Sequence, residues 1–499
     1  MPGPFDRILF VYSAFVVIIK VPSFDKVMHG RIRNCQTMVR WSRKTRTQLQ
    51  KYWGKIFMRS EKEMMELIIG TAERDERIRG VYMNGSRTNK NAPKDIFQDY
   101  DIVYVVTETK SFIEEESWID VFGERLYMQF PEKMSGILGH ECDFGNCYGY
   151  LMQLADGNRL DLHLLTLECS IKDMEQDRLC IVLLDKDKSF PQIPPSTDED
   201  HWVKKPTEEE YLCSCNEFWW LLNNMGKGLW RGEITYAMDM LNFHVRPEFI
   251  KMLSWYVGIH TYFSSSIGKS GKYLYRFLSQ DKMERILLMY PAGNPEAVWQ
   301  SLFEMCDFFD ALAREVGRGL GYSYNEKEAH NSRLFLDCTY ELPGDAREIL
   351  MVRRMKESDV EEIARIWLEA NIEAHDFISE DYWLGNYEAV KNQLYESEAY
   401  VYEDHEGIHG FAGINKGYLE GIFVKRSMRS KGVGKALMDI CKSKYFRINL
   451  HVYCKNKKAV NFYMREGFQI NKKYAGARTD DIKPDIAGCT EFEMIWQKE

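Results

Sequence analysis

One stretch of the sequence indicates the fold of the first domain: it runs from Val81 to Arg87 (VYMNGSR) and continues from Asp99 to Val106 (DYDIVYVV). Its first part predicts a short buried strand that ends in the small-residue turn Gly85-Ser86. Glycine lets the main chain approach a phosphate closely, and the serine hydroxyl and the following amides can donate hydrogen bonds to phosphate oxygens. Because Gly-Ser turns are common, the second part of the stretch decides the interpretation.

Three acidic residues complete the pattern. Asp99 and Asp101 share one face of a predicted strand, because side chains alternate along a strand. Adjacent carboxylates repel each other unless a divalent cation lies between them. Asp161 lies within the alternating segment from Arg159 to Leu165, where an acid is unfavourable unless it is paired or binds a metal. An isolated Asp-x-Asp is more often a solvated strand start, but together with the turn and Asp161 it predicts a site for two Mg²⁺ ions.

The turn, the acidic pair and Asp161 together resemble the polymerase-β-like nucleotidyltransferases. From about Met58 to Asp345 the chain also resembles the aminoglycoside 6-adenylyltransferases, the streptomycin-modifying family. The segments that carry this likeness run from Ala72 to Val106 and from Thr207 through Trp220. The resemblance implies transfer of AMP from ATP to the 6-hydroxyl of streptomycin, with release of pyrophosphate.

The same resemblance implies a role for each residue of the pattern. Ser86 and Arg87, in the glycine turn, would bind the β- and γ-phosphates of ATP. Asp99 and Asp101 would bridge both Mg²⁺ ions, and Asp161 would hold the ion nearest the attacking hydroxyl. Asp161 or a nearby acid could also help to remove the proton of that hydroxyl.

A helical pattern follows the proline-rich segment 191–195 and predicts the substrate-binding half. Glu217 offers a carboxylate, and Trp219 and Trp220 offer aromatic faces, which suit guanidinium groups through ion pairing and cation–π contact. Lys227 could reach phosphates. The alternative for the tryptophans is a place in the helical core. Helices are predicted over 209–227, 233–242, 247–258 and 295–317.

A second enzyme-like unit follows the break at Pro343-Gly344-Asp345. The segment from Arg429 to Leu437 (RSKGVGKAL) predicts a glycine-containing turn that opens a helix, and successive amides at such a turn can bind a pyrophosphate. A strand over 450–453, Asn456, a helix with Tyr463 and then Gly467-Phe468 come next. Over about residues 351–497, this order resembles the GCN5-related N-acetyltransferase (GNAT) family.

The second resemblance implies acetyl-CoA as cosubstrate. Asn456 would contact acetyl-CoA, Tyr463 would protonate the departing thiolate, and Glu420 stands where some relatives have a base that acts through water. A core aromatic is the alternative for Tyr463. The acceptor stays open, although fusion to an antibiotic-modifying unit favours an aminoglycoside or a related amine. The residues expected at the pyrophosphate are Arg429, Lys431, Gly432, Gly434 and Lys435.

The chain of 499 residues is therefore expected to be a multidomain protein of the α+β and α/β classes. Residues 8–19 are an apolar run of signal-peptide length, and a basic stretch follows, but we expect residues 1–57 to precede the true start at Met58, without stable membrane insertion. The predicted domains are an unassigned extension over 1–57, a nucleotidyltransferase domain over 58–190, a helical substrate-binding domain over 191–345 and a GNAT-like domain over 349–499.

Composition limits the possible partners. The net charge of -9 disfavours nucleic acid, because an acidic surface repels a phosphate backbone, and it suits a polycationic small molecule better. The twelve cysteines are scattered without a Cys-x-x-Cys motif, which indicates reduced thiols in a cytoplasmic protein rather than zinc or disulfides. The oligomeric state stays open.

Three functional hypotheses follow from these patterns. The first is a bifunctional resistance enzyme that adenylylates at one site and acetylates at the other. The second is a single-activity adenylyltransferase with an inert acetyltransferase-like appendage. The third is a nucleotidyltransferase that acts on a protein or RNA partner, and the acidic charge argues against RNA.

Overall fold

The computed structural model describes residues 9–12, 15–18, 57–475 and 490–498. Most of the predicted N-terminal extension, and with it the expectation about where the working protein starts, lies outside the described residues. Within the extension, strands β1 (Leu9–Tyr12) and β2 (Phe15–Ile18) pair antiparallel. The chain divides into two compact units, one of residues 1–176 and 180–193 and the other of residues 177–179 and 194–499.

The first unit is built on a mixed sheet of six strands in the order β5-β6-β7-β4-β3-β8. Strands β4 and β7 are parallel, whereas the other neighbours pair antiparallel. The strands are β3 (Ile78–Asn84), β4 (Tyr100–Val106), β5 (Arg125–Gln129), β6 (Cys147–Leu154), β7 (Arg159–Thr166) and β8 (Cys180–Asp185). The helices are α1 (Glu61–Arg74), α2 (Lys110–Glu114), α3 (Pro131–Ile137) and α4 (Leu167–Gln176).

Helix α1 begins directly after Ser60. Ser60 and Glu63 form a reciprocal capping box, which satisfies two main-chain amides at the start of the helix. Its apolar stripe, which includes Met64 and Ile68, is buried in the core on one face of the sheet. This packing leaves the other face of the sheet for α4 and, beyond it, for polar residues.

The second unit begins with six helices around an apolar core. The four helices predicted from sequence are confirmed, and α8 and α10 are additional. Within the core the rings of Phe218 and Phe309 stack with centroids 3.6 Å apart. A π-helical turn over Leu241–Val245 joins α6 to α7. The helices are α5 (Glu208–Trp230), α6 (Ile234–Met240), α7 (Arg246–His260), α8 (Gln280–Leu288), α9 (Pro295–Leu320) and α10 (Glu326–Glu341).

The same unit ends in a mixed seven-stranded sheet of order β14-β15-β13-β12-β11-β10-β9. Strands β12 and β13 are parallel and share one registered pair, Tyr418 with Asn449, so they diverge from that point. The predicted mixed α+β organisation of the chain is confirmed. The strands are β9 (Val352–Arg354), β10 (Ala399–Asp404), β11 (Gly407–Asn415), β12 (Tyr418–Val424), β13 (Arg447–Tyr453), β14 (Gln469–Ala475) and β15 (Thr490–Gln497). The helices are α11 (Val360–Ala374), α12 (Glu380–Leu394), α13 (Val433–Lys444) and α14 (Lys457–Arg465).

In the part of the chain that the structure describes, no helix combines the length and the apolar character that a membrane span requires.

Candidate functional site

The acidic residues of the first unit meet on neighbouring strands. Asp101 on β4 is in register with Asp161 on the parallel strand β7 and with Asn84 on β3. Asp99 directly precedes β4. Side-chain alternation puts Asp101 and Asp161 on the sheet face whose other end packs against α4, and both carboxylates are only partly buried. The sheet therefore presents a polar patch of three carboxylates at its open end.

Electrostatics at this patch favour a bound cation. Burial, reinforced by the negative charges of Asp161 and Asp99, raises the pKa of Asp101 to about 6. Burial also raises the pKa of Asp99, and the charge of Asp161 acts in the same direction. Carboxylates that resist ionisation because they crowd one another gain most from a divalent cation, for which carboxylate oxygens are suitable ligands. The donor set and its mutual repulsion thus fit Mg²⁺.

Arg159 is a further member of the patch that the sequence analysis did not single out. Its Nε lies 2.9 Å from Asp161 Oδ1 and its Nη2 lies 2.8 Å from Asp161 Oδ2, and it is 3.8 Å from Asp99. The guanidinium thus forms a two-pronged ion pair with Asp161. Its place two residues before Asp161 on the same strand is the signal that could have identified it.

The three aspartates do not converge on one point in this structure, in which Asp161 is paired with Arg159. Among the described residues, three side chains of the second unit lie close enough together to hold one metal ion. They are Asp404, Glu406 and His409, at a hairpin turn. The carboxylates of Asp99, Asp101 and Asp161 do not form such a close group. Asp161 is instead engaged by Arg159, a cation of the protein itself.

The Gly85 turn is pressed against the carboxylates. Residues Gly85–Arg87 form one turn of 3₁₀-helix, and Gly85 has a φ of 75°. A Cβ at this position would stand 2.2 Å from Asp101 Oδ2, so only glycine fits between the turn and the acid. Ser86 is half-buried at the same turn. The structure therefore brings the predicted phosphate-binding turn and the predicted metal ligand into direct contact.

The Arg87 side chain contacts the main chain that leads into β4. Its guanidinium donates to the main-chain oxygens of Asp99 (3.0 Å) and Gln98 (2.8 Å) and stacks 3.7 Å over the ring of Tyr100. The side chain is only 9% exposed. Its bonds hold the main chain that carries Asp99, which favours a positioning role over the predicted contact with the β- and γ-phosphates.

Replacing Arg87 by Lys separates these two roles. Lysine keeps the charge but loses the planar fork that reaches both main-chain oxygens. We expect kcat for the nucleotidyl transfer that the sequence predicts to fall by about tenfold or more, with the KM for ATP changed by less than about threefold. Steady-state kinetics measure both constants. A large rise in the KM for ATP at unchanged kcat would restore Arg87 as a phosphate ligand.

The predicted residues of the helical lobe separate into buried and exposed ones. Trp219 is 3% exposed, and its indole N–H donates to the Tyr324 hydroxyl at 3.0 Å, so its ring belongs to the core and is not accessible to a ligand. Trp220 is 66% exposed, and Glu217 and Lys227 are also exposed. The spacing of these three along α5 gives one exposed stripe of the helix. For Trp219 the alternative, a place in the helical core, is therefore correct, whereas the adjacent Trp220 faces outward.

In the second unit, the predicted pyrophosphate turn starts α13. Gly432 has a φ of 91° at the N-terminus of this helix, a backbone conformation that favours glycine. Arg429 lies at the rim of a cavity of about 420 Å³. Lys431 is exposed, and Lys435 is also exposed and pairs with Asp439 along the helix. Gly434 lies near the ring of Phe462.

The predicted acetyl-transfer residues lie beside the diverging strands β12 and β13. Tyr463 is buried, and burial raises its pKa well above the ordinary value, which keeps it a protonated phenol. Burial also raises the pKa of Glu420 on β12. Asn456 accepts a hydrogen bond from the Ala459 amide and so caps α14, and its own amide lies 3.2 Å from His375 Nε2.

His451 on β13 is a polar residue near these strands that sequence reasoning missed. Its Nδ1 lies 3.1 Å from the hydroxyl of Tyr418, and its Nε2 is buried without a hydrogen-bond partner among the described residues. Burial raises the pKa of the nearby Glu491, and the His451 side chain partly offsets this. The diverging strands are thus lined by acids and a histidine.

Comparison with known proteins gives matches to both units. Residues 58–338 match the streptomycin adenylyltransferase family, and residues 395–470 match the GNAT acetyltransferase domain. The chain is 40% identical over 268 residues to the aminoglycoside 6-adenylyltransferase of Bacillus subtilis, which covers 54% of this chain and 93% of the relative.

The C-terminal part has its own relative. It is 34% identical over 122 residues to the peptidyl-lysine N-acetyltransferase YiaC of Escherichia coli, covering 24% of this chain and 84% of the relative.

The crystal structure of the aminoglycoside 6-adenyltransferase from Bacillus subtilis aligns with 56% of this chain and 99% of that chain, at 34% identity and a TM-score of 0.29.

Proposed function

Because the chain belongs to the streptomycin adenylyltransferase family and carries a GNAT acetyltransferase domain, we propose that it is a bifunctional antibiotic-modifying enzyme. Its first unit, with the helical lobe, transfers AMP from ATP to the 6-hydroxyl of streptomycin and releases pyrophosphate. The observation that carries this proposal is the registered pair of Asp101 and Asp161 beside the Gly85 turn.

The chemistry of AMP transfer needs neutralised phosphates and an oriented hydroxyl. Asp99, Asp101 and Asp161 would hold Mg²⁺, which when bound neutralises phosphate charge and aligns the attacking and leaving oxygens. Ser86 and the main chain of the Gly85 turn bind the phosphates next to these acids. Arg159 holds the Asp161 carboxylate in place through its two-pronged ion pair.

The substrate class follows from charge and exposure. The exposed stripe of α5 offers the carboxylate of Glu217 and the aromatic face of Trp220, groups that bind guanidinium cations. Lys227, further along the stripe, stays a proposed phosphate contact. We place the working domains at 58–190, 191–345 and 349–499.

The GNAT domain is proposed to transfer an acetyl group from acetyl-CoA to an amine. The turn over 429–435 holds the pyrophosphate, Glu420 accepts the amine proton through water, and Tyr463 donates a proton to the leaving thiolate. Glu420 and Glu491 favour a cationic acceptor. An aminoglycoside amine is the first candidate, and a peptidyl lysine is the second, since a relative of this domain is named for that activity.

The adenylyl-transfer proposal is tested by incubating the chain with ATP, Mg²⁺ and streptomycin and measuring pyrophosphate. Release that needs all three components supports the proposal, and chelation of Mg²⁺ should stop it. The variant Asp99→Asn should also abolish release. Pyrophosphate that forms equally well without streptomycin, and AMP attached to a protein, would instead favour a protein partner.

Replacing Tyr463 by Phe tests the acetyl-transfer half. The ring is retained, so the packing against Phe468 persists, but the proton donor is lost. We expect kcat for acetyl transfer to an amine to fall by about a hundredfold, with the KM for acetyl-CoA little changed. Thiol release in the presence of aminoglycosides and of lysine peptides measures both constants. Unchanged kcat would show that Tyr463 is only a core aromatic residue.

A further inference from the structure

One acidic residue, Glu373, pairs both with Arg429 of the proposed acetyl-CoA turn and with Arg426, which precedes that turn. The carboxylate of Glu373, in the last turn of α11, is 2.7 Å from Arg429 Nη2 and 3.2 Å from Arg426 Nη1. Arg429 also donates from Nε to the main-chain oxygen of Val424 at 3.0 Å. The side chains of Glu373 and Arg429 are 32% and 39% exposed, so their ion pair is partly shielded from water. Glu373 therefore fixes the direction of the Arg429 guanidinium.

The cavity beside Arg429 places this acid among several charges. Lys425, Arg426 and Arg429 supply the cations of its wall, and Glu369 and Glu373 supply the acids. Lys425 pairs with Glu362 outside the cavity wall, and Glu369 pairs with Arg365 at 2.9 Å. Glu373 is thus the wall acid whose ion pairs engage both arginines.

We propose that Glu373 is an intramolecular competitor for the diphosphate of acetyl-CoA and sets the affinity of the domain for it. This inference rests on the proposed acetyl-CoA function. A guanidinium that binds a carboxylate in a charge-assisted pair has fewer donors for a phosphate. A carboxylate beside a bound diphosphate also repels it, since the two charges have the same sign. Glu373 keeps the arginines ordered without ligand and has to give way when the diphosphate binds.

Replacing Glu373 by Gln in the full-length chain tests the proposal. Glutamine has the same shape but no charge, so it frees the arginines and removes the repulsion. Isothermal titration with acetyl-CoA, without ATP, should give a Kd about three- to tenfold lower than that of the unmodified chain. The matched control is Glu361→Gln, which changes an acid of the same helix that lies outside the cavity wall and pairs with Lys391, and it should leave the Kd within about twofold.

Two further measurements identify the cause. In an Arg429→Gln background, Glu373→Gln should lower the Kd by a smaller factor than in the unmodified chain, because the competition for Arg429 is gone. The gain should also shrink at high salt, which screens partly exposed charges.

Each of the other possible results overturns the proposal. An unchanged Kd for Glu373→Gln, in a chain whose Tm matches that of the unmodified protein, overturns the proposal. A higher Kd also overturns it and makes Glu373 a residue that positions the arginines for the ligand. If the unmodified chain and the variant both fail to bind acetyl-CoA, the proposed acetyl-CoA function itself is wrong and this inference fails with it.

Discussion

Replacing Asp101 by Asn is expected to lower kcat/KM for AMP transfer to streptomycin by more than about a hundredfold. Losing a group that merely supports a metal ligand typically reduces metal affinity or activity 10- to 100-fold, and Asp101 is a proposed ligand itself. It is also the acid in register with Asp161 and in contact with the Gly85 turn. Pyrophosphate release at saturating ATP and varied Mg²⁺ measures the loss, which higher Mg²⁺ should only partly reverse.

The same variant should not destabilise the fold. Burial and two like charges raise the pKa of Asp101 to about 6, above the value of an aspartate in an unfolded chain. When folding raises the pKa of a carboxyl, the folded protein loses stability as the pH rises above the unfolded-state pKa of that group. At pH 7 the charge of Asp101 therefore opposes folding. The neutral amide should leave Tm unchanged or raise it.

A matched control for this variant is Asp187→Asn. Asp187 is an exposed acid of the first unit that pairs with Arg79. This change should leave AMP transfer within about twofold, because exposed ion pairs contribute little. Full activity of Asp101→Asn would remove Asp101 from the proposed site, and a strong fall in its Tm would indicate a structural role instead.

Replacing Gly85 by Ala is expected to reduce both the rate of AMP transfer and the folding stability. The new Cβ would lie 2.2 Å from Asp101 Oδ2, and the φ of 75° is unfavourable for alanine. The turn or the acid has to move, and a displacement of about 1 Å at a reacting centre can reduce the rate about a hundredfold. We expect a loss of that size in kcat, together with about 1–2 kcal/mol of lost folding stability from the backbone conformation.

The control for Gly85→Ala is Gly232→Ala. Gly232 has the same φ of 75°, but a Cβ there would meet nothing within 4 Å. It should lose similar stability and keep full AMP transfer. Comparing the two variants by denaturant unfolding and by kcat separates backbone strain from the contact with Asp101. Equal activity in both variants would show that the close approach of turn and acid is unimportant for transfer.

The sequence was sufficient where a function depends on local periodicity. The alternation that puts Asp99, Asp101 and Asp161 on strand faces is a property of neighbouring residues, and the parallel pairing of β4 with β7 then brings Asp101 and Asp161 together. Similarly, the capping residues around Ser60 define the start of α1 before any tertiary contact is known. Both fold classes could be predicted for this reason.

Features that depend on side-chain direction could not be predicted in this way. Trp219 and Trp220 are adjacent in sequence, and only packing against the rest of the helical core decides that the first is buried and the second exposed. The turn of Arg87 toward Tyr100 and the pair of Glu373 with Arg429 join residues whose contact depends on rotamers or on distant segments. Local patterns contain no information about such contacts.

Mass spectrometry of streptomycin treated with the full chain, ATP and Mg²⁺ detects AMP transfer to streptomycin itself. We predict a product that has gained one AMP, with fragment ions that place it on the 6-hydroxyl, and no such product from Asp101→Asn. Two results would contradict AMP transfer to streptomycin. One is streptomycin that stays unmodified while the folded chain binds ATP, and the other is AMP found only on protein.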